Sequence, residues 1–164
     1  MTALLSTRNT SDSFGALIQE VRRFVAGAIL FNQHLAEQLG VHPTDYQVLN
    51  VLSLRGSATP SEVARDTGLT TGGVTVVLDR LERAGFITRE PNPKDRRSRI
   101  IRPVPATMRR ILALYTPLIG GIQDAVSSLT AKELDTVIAF FQRANATRAG
   151  VLAAHSRRRT RKLQ

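Results

Sequence analysis

The stretch from Thr59 to Gly68 constrains the chain most. Thr59-Pro60-Ser61-Glu62 is a capping box with proline in the first helical turn: the Thr59 hydroxyl accepts from the Glu62 N–H, and the Glu62 carboxylate reaches back. Asp66-Thr67-Gly68 stops the same helix about two turns later. So short a helix is not stable alone and must pack between neighbours. Both neighbours read as helices. Upstream, Pro43 opens one in which Thr44 and Asp45 bring acceptor oxygens and negative charge to the unpaired N–H groups. Tyr46, Val48, Leu49 and Leu52 supply its apolar side, and Arg55-Gly56 ends it. Downstream, Thr70 is a good N-cap residue for a helix running to Ala84-Gly85, with Val74, Val77, Leu78 and Leu81 in an i, i+3, i+4, i+7 stripe. Two helices joined across a tight glycine turn set the second on the outside of a small core, the arrangement of a helix-turn-helix.

A hairpin follows. Phe86 to Glu90 reads as a short strand and Arg99 to Arg102 as its return, ended by Pro103. Pro91-Asn92-Pro93-Lys94-Asp95 favours a turn, so the hairpin has a long basic tip. A helix fits the DNA major groove, and a narrow arginine-tipped hairpin fits the minor groove, where the potential is more negative. With its apolar stripe turned inward, the 70–84 helix leaves residues 71, 72, 75, 76, 79 and 80 outside.

Long helices flank this unit. From Ser13 to Leu39, apolar residues including Phe14, Leu17, Ile18, Val21, Phe24, Val25, Ala28, Phe31 and Leu35 recur at three- and four-residue steps, and Gly40 is the stop. A helix over 106–127 contains Pro117, which predicts a kink. Thr130-Ala131-Lys132-Glu133 is a second capping box, opening a helix to about 153. These helices carry more apolar stripe than the domain between them covers, which predicts a homodimer with twofold symmetry. The fold class expected is mainly α with a small β-hairpin wing: a winged helix-turn-helix domain over 41–103, with 13–39 and 104–153 forming a helical dimerisation region. Residues 1–12 read as a flexible N-terminus and 154–164 as a basic tail.

Charge supports a polyanionic partner. The formal net charge is +10, and 20 of the 23 basic residues are arginine. Residues 101–164 hold eleven basic against three acidic residues. Double-stranded DNA is the partner this field suits best, with an anionic membrane surface second. The longest nearly apolar run, Phe24 to Phe31, is eight residues, against the ~20 that span a bilayer, and the first residues lack the basic start of a secretory signal. The expectation is a cytoplasmic protein without membrane association. There is no cysteine, and His34, His42 and His155 are scattered, so no metal or other cofactor is expected. No phosphate-binding loop, nucleophile elbow or carboxylate pair stands in the sequence, which argues against an enzyme. The alternative within DNA binding is an architectural winged-helix protein with no sequence preference and no effector.

Residues 70–102, TTGGVTVVLDRLERAGFITREPNPKDRRSRIIR, resemble the recognition helix and wing of the MarR family of bacterial transcriptional regulators. L-D-R-L-E-R-A-G-F-I (78–87) and K-D-R-R (94–97) carry most of the resemblance; Y-Q-V-L-N-V-L (46–52) and S-L-T-A-K-E-L (128–134) fit the same pattern, and the match covers roughly residues 14–150. The resemblance implies a dimer that binds a pseudo-palindromic operator and is released, often as a repressor, by a small aromatic or phenolic effector. Carried over by position, Thr70 caps the recognition helix, while Thr71, Gly72, Thr75, Val76 and Arg80 face the major groove. Thr71 and Thr75 would reach phosphates or base edges, the methyls of Thr75 and Val76 would meet thymine methyls, and Arg80 would hold a phosphate. In the wing, Arg97 is the residue expected in the minor groove, with Lys94, Arg96 and Arg99 on phosphates. Asp95, repelled by phosphate, would pair its carboxylate with the guanidinium of Arg97 or Arg96. The effector cleft would lie near Phe24, Phe31 and Tyr46. Two departures stand out. The family often has a polar or basic residue where Val76 stands, which makes readout there apolar. Gly72-Gly73 costs helix propensity, offset if the bare backbone approaches DNA closely. The 157–162 basic run would add phosphate contacts beside the operator.

Overall fold

Helix signals and structure agree closely. The computed structural model describes residues 10–95 and 97–161, with the side chains of 12–95, 97–151 and 154. In chain order the elements are α1 (Thr10–Leu39), α2 (Pro43–Arg55), α3 (Pro60–Thr67), α4 (Thr71–Arg83), β1 (Ile87–Pro91), β2 (Arg99–Pro103), α5 (Pro105–Val126) and α6 (Ala131–Arg161). The chain divides into two units, one ending at Leu114 and the other beginning at Tyr115. The division falls inside α5, which stays helical through Pro117. No helix among the described residues is long and apolar enough to cross a membrane.

The core of the first unit is drawn from every element. Leu35, Ala36 and Leu39 of α1 meet Tyr46, Val48, Leu49 and Leu52 of α2, Val63 of α3, and Val74, Val77, Leu78 and Leu81 of α4 among the buried residues. Phe86, Ile87, Ile101 and Ile111 are buried as well. Gly68 takes the left-handed conformation at the end of α3 (φ 74°), where a Cβ would be strained, and turns the chain into α4.

The strands pair antiparallel, with Ile87 opposite Pro103 and Pro91 opposite Arg99. Pro91 is the last residue of β1, a strand end where its missing N–H does little harm. Ala58 joins the hairpin from the α2–α3 loop: its N–H donates to the Ile101 carbonyl at 3.1 Å, and the Ile101 N–H donates to the Ala58 carbonyl at 2.8 Å. Arg110 of α5 lies over the Phe86 ring at 5.8 Å.

Both capping boxes form. The Thr59 and Thr130 N–H groups donate to the carboxylates of Glu62 and Glu133 at 2.8 Å, and each glutamate N–H donates back to the threonine hydroxyl at 3.3 Å. The Thr59 backbone and hydroxyl bonds hold the Glu62 carboxyl below the ordinary 4.5, and the Thr130 hydroxyl and backbone do the same for Glu133. Both groups therefore titrate lower when folded than when unfolded. Their stabilisation is complete above the unfolded value and is lost as pH falls through the folded one. Thermal denaturation across acid pH should show Tm steady down to about pH 5 and falling below it. Thr59→Ala should lower Tm at neutral pH by roughly 2–4 °C, the effect of losing about 1 kcal/mol of capping, with a smaller deficit in acid.

Two expectations about α2 and α6 are corrected. At the start of α2 the cap is His42, whose Nδ1 accepts from the Thr44 N–H at 3.2 Å, and Asp45 turns away from the helix end. α6 continues to Arg161, through most of the segment read as a tail. Arginine and alanine are strong helix formers, and a high density of positive charge does not itself break a helix. Residues 1–9 and 162–164 lie outside the described residues.

Candidate nucleic-acid interface

α4 is set up by its own first turn. The Thr70 hydroxyl accepts from the Gly73 N–H at 3.1 Å, as an N-cap should. The stripe at 74, 77, 78 and 81 is buried, while Thr71, Gly72, Thr75, Val76 and Arg80 are exposed and Asp79 half-buried. The outer face of the helix is thus open, as its periodicity predicts. A Cβ on Gly72 would meet open space, whereas one on Gly73 would stand 3.2 Å from the capping oxygen of Thr70. Gly73 therefore has a local reason tied to the cap, and Gly72 meets no such neighbour among the described residues.

Arg80 carries the least anticipated interaction. Its Nε donates to Asp45 Oδ2 at 3.0 Å and its Nη2 to Asp45 Oδ1 at 2.5 Å, a bidentate pair linking α4 to α2. Asp45 is 4% exposed, while Arg80 keeps an exposed edge. The hydrogen bonds to Asp45 raise the Arg80 pKa further, so the guanidinium stays charged. A signal for the burial of Asp45, though not for its partner, stood in the sequence: it lies four and seven residues before the buried Leu49 and Leu52, on the inward face of its helix.

A second arginine aims the hairpin. Arg89 donates through Nη2 to Asp79 Oδ1 at 2.5 Å and lies 3.4 Å from Glu82 Oε2, tying β1 to α4. It stands two residues after the buried Ile87, on the inward side of the strand, where a cation needs a partner. Arg102 donates to Glu90 across the hairpin at 3.0 Å.

The tip is held by its own short polar side chains. Asn92 Nδ2 donates to Ser98 Oγ at 2.7 Å, and the Lys94 N–H donates to Asn92 Oδ1 at 3.0 Å. Asp95 Oδ1 accepts from the Arg97 backbone N–H at 3.0 Å. The carboxylate thus organises the loop that carries Arg97, and among the described residues it makes no ion pair with the Arg97 guanidinium, which corrects that half of the expectation. A short acidic side chain reaches the N–H two residues on more readily than a distant guanidinium group. Arg96, the other candidate for that pair, lies outside the described residues.

Charge is sorted by these contacts. The acids Glu62, Asp66, Asp79, Glu82 and Glu90 are each engaged with Arg55, Arg65, Arg89 or Arg102. Lys94, Arg97 and Arg99 are exposed, and among the described residues none of them has a carboxylate within ion-pair distance. Positive charge is therefore left at the wing tip.

The three aromatics expected near an effector differ in their exposure. Tyr46 is a core residue at 2% exposure, Phe31 is half-buried, and Phe24 is exposed. Among the open concavities of the first unit are one of about 660 Å³ (Gly40, Val41, His42, Asp45, Arg80 and Phe86 among its lining) and one of about 330 Å³ beside α4. None of the three aromatics lines either one. Among the described residues no cluster of three or more His, Asp or Glu is placed to hold a metal ion.

Comparison with known proteins agrees with this geometry. The model of the MarR family matches residues 39–98. The uncharacterised HTH-type transcriptional regulator YcgE of Bacillus subtilis is 37% identical over 141 residues, covering 85% of this chain and 92% of that one. A mutant of E. coli MarR complexed with operator DNA superposes with a TM-score of 0.51 at 20% identity, over 84% of this chain and 99% of that one. NadR in complex with 4-hydroxyphenylacetate superposes with a TM-score of 0.58 at 13% identity, over 87% and 97%. With that likeness over most of both chains, and six helices and a two-stranded wing among the described residues, the chain belongs to the MarR family of transcriptional regulators.

Proposed function

We propose that this regulator is a cytoplasmic homodimer that reads a pseudo-palindromic operator, placing α4 in the major groove and the 91–98 wing in the minor groove. The observation that carries the reading is the open outer face of α4 together with a wing tip on which Lys94, Arg97 and Arg99 have no carboxylate partner among the described residues. The fold shared with a protein complexed with operator DNA supports it. Thr70, Thr71 and the first-turn N–H groups of α4 suit a phosphate, as helix N-termini do. Thr75 and Val76 face base edges. Lys94, Arg96 and Arg99 hold phosphates, and Asp95 shapes the loop that delivers Arg97. Two copies joined by a twofold axis address half-sites about one helical turn, ~10 bp, apart. The protein acts as a repressor released by a small aromatic or phenolic effector, a reading supported by the fold shared with NadR in its complex. Such a ligand must bind the non-DNA conformation more tightly, because equal affinity for both shifts nothing.

Selection of preferred sites from random duplex DNA tests the reading. At matched salt the selected site should exceed random DNA in affinity by ~10³-fold or more. Equal affinity for both would identify an architectural binder instead. On the selected site, Arg97→Ala should weaken binding by roughly 5- to 100-fold, the range for losing a groove-inserted arginine, and Arg99→Ala by only a few-fold. Equal small losses would mean that the wing acts as diffuse charge.

A further inference from the structure

The outer face of α4 has an unusual chemistry for a helix that reads DNA. Over its first two turns the exposed residues are Thr71, Gly72, Thr75 and Val76, with no arginine, lysine, asparagine or glutamine among them. Those four side-chain types make the bidentate contacts that identify guanine or adenine in the major groove. The hydroxyls present are partly committed. Thr75 donates its hydrogen to the Thr71 carbonyl at 3.1 Å, so it offers a partner its methyl group and an acceptor lone pair. The Thr70 hydroxyl accepts from the Gly73 N–H as the cap. Arg80, the first cation along the helix, is held by Asp45.

Apolar surface remains. Val76 is 54% exposed, and beside it lies the open recess of about 330 Å³, lined by Leu69, Gly72, Gly73, Val76 and Val77, with Thr44 alongside and His42 and Arg80 also bordering it. The two glycines contribute no side chain, so the recess is open where a base edge would approach.

We propose that α4 recognises thymine 5-methyl groups, so that the operator's best-specified positions under this helix are A·T pairs whose methyls pack on Val76 and Thr75 and into the recess beside Gly72. Thymine is the only base with a methyl in the major groove, and a face without free bidentate donors gains nothing from guanine there. Burying one methyl is worth about fourfold in affinity. The inference rests on the operator-reading function proposed above and names the bases read.

The test uses the full-length protein and its selected site, rebuilt with deoxyuridine in place of thymine one position at a time, which removes only the methyl. Affinity should fall by roughly 3- to 10-fold at one or two positions in each half-site and stay constant elsewhere. Val76→Ala, a change at an exposed position, should bind the thymine site more weakly and lose most of its sensitivity to deoxyuridine. A selected site that tolerates deoxyuridine throughout would overturn methyl readout while leaving the regulator reading intact. A deoxyuridine effect undiminished by Val76→Ala would overturn the assignment to this face. Failure to select any site would overturn both readings.

Discussion

With Ile18→Asp and Val25→Asp introduced together, the protein is expected to sediment as a folded monomer and to lose about 10²-fold or more in operator affinity. The two positions lie seven residues apart on one face of α1 and are 42% and 52% exposed in the single chain. A carboxylate on such a surface costs a lone chain little. It costs a great deal where a partner's apolar face would strip it of water. Phe14, Leu17, Phe24, Ile29 and Leu30 are also exposed, more apolar surface than one helix of a monomer ordinarily shows to solvent. Separating the copies turns a two-site interaction into a one-site one, and linked sites commonly differ from single ones by 10²–10⁴ in affinity. Circular dichroism checks the fold, sedimentation the association and a titration with operator the affinity. An unchanged sedimentation coefficient would mean that this stripe is not the interface.

Arg80→Ala is expected to have the second-largest effect, and to act on two properties at once. It leaves the Asp45 carboxylate, 4% exposed, without the guanidinium that compensates its burial. Tm should fall by roughly 5 °C or more, a figure moderated because Arg80 itself is partly open to solvent. It also unties α4 from α2 and removes a cation beside the reading face. Adding Asp45→Ala separates the two effects. With both partners gone no buried charge is stranded, so most of the lost Tm should return. Operator affinity should not return, and the slope of log K against log salt should stay lower by ~0.9, the signature of one missing phosphate contact. A double variant that regains both stability and affinity would make the pair purely structural.

The same pair shows where local reasoning stops. Periodicity sorts α4 correctly, with Val74, Val77, Leu78 and Leu81 inside and Thr71, Gly72, Thr75 and Val76 outside. Both capping boxes also form as their spacing predicts. These features depend on residues within about one helical turn, so the chain's local geometry decides them. Asp45, by contrast, reads as a first-turn acid and becomes the anchor of a residue 35 positions away. Asp95 reads as the partner of a guanidinium, and one of its oxygens caps the Arg97 backbone N–H. For Asp45 the partner is chosen by packing between distant segments, whereas for Asp95 it is chosen by the short reach of its side chain to the N–H two residues on.

From the amino-acid order alone come the number and placement of the helices, the hairpin with its cationic tip, and the split of α4 into a hidden and a presented side. Those follow from backbone hydrogen bonding, capping and the 3.6-residue period, which act over short range. The tertiary structure decided which acids are consumed by which arginines and the Ala58 bridge that joins the hairpin to the α2–α3 loop. Such choices depend on distances between segments far apart in the chain, and a one-dimensional pattern does not encode them.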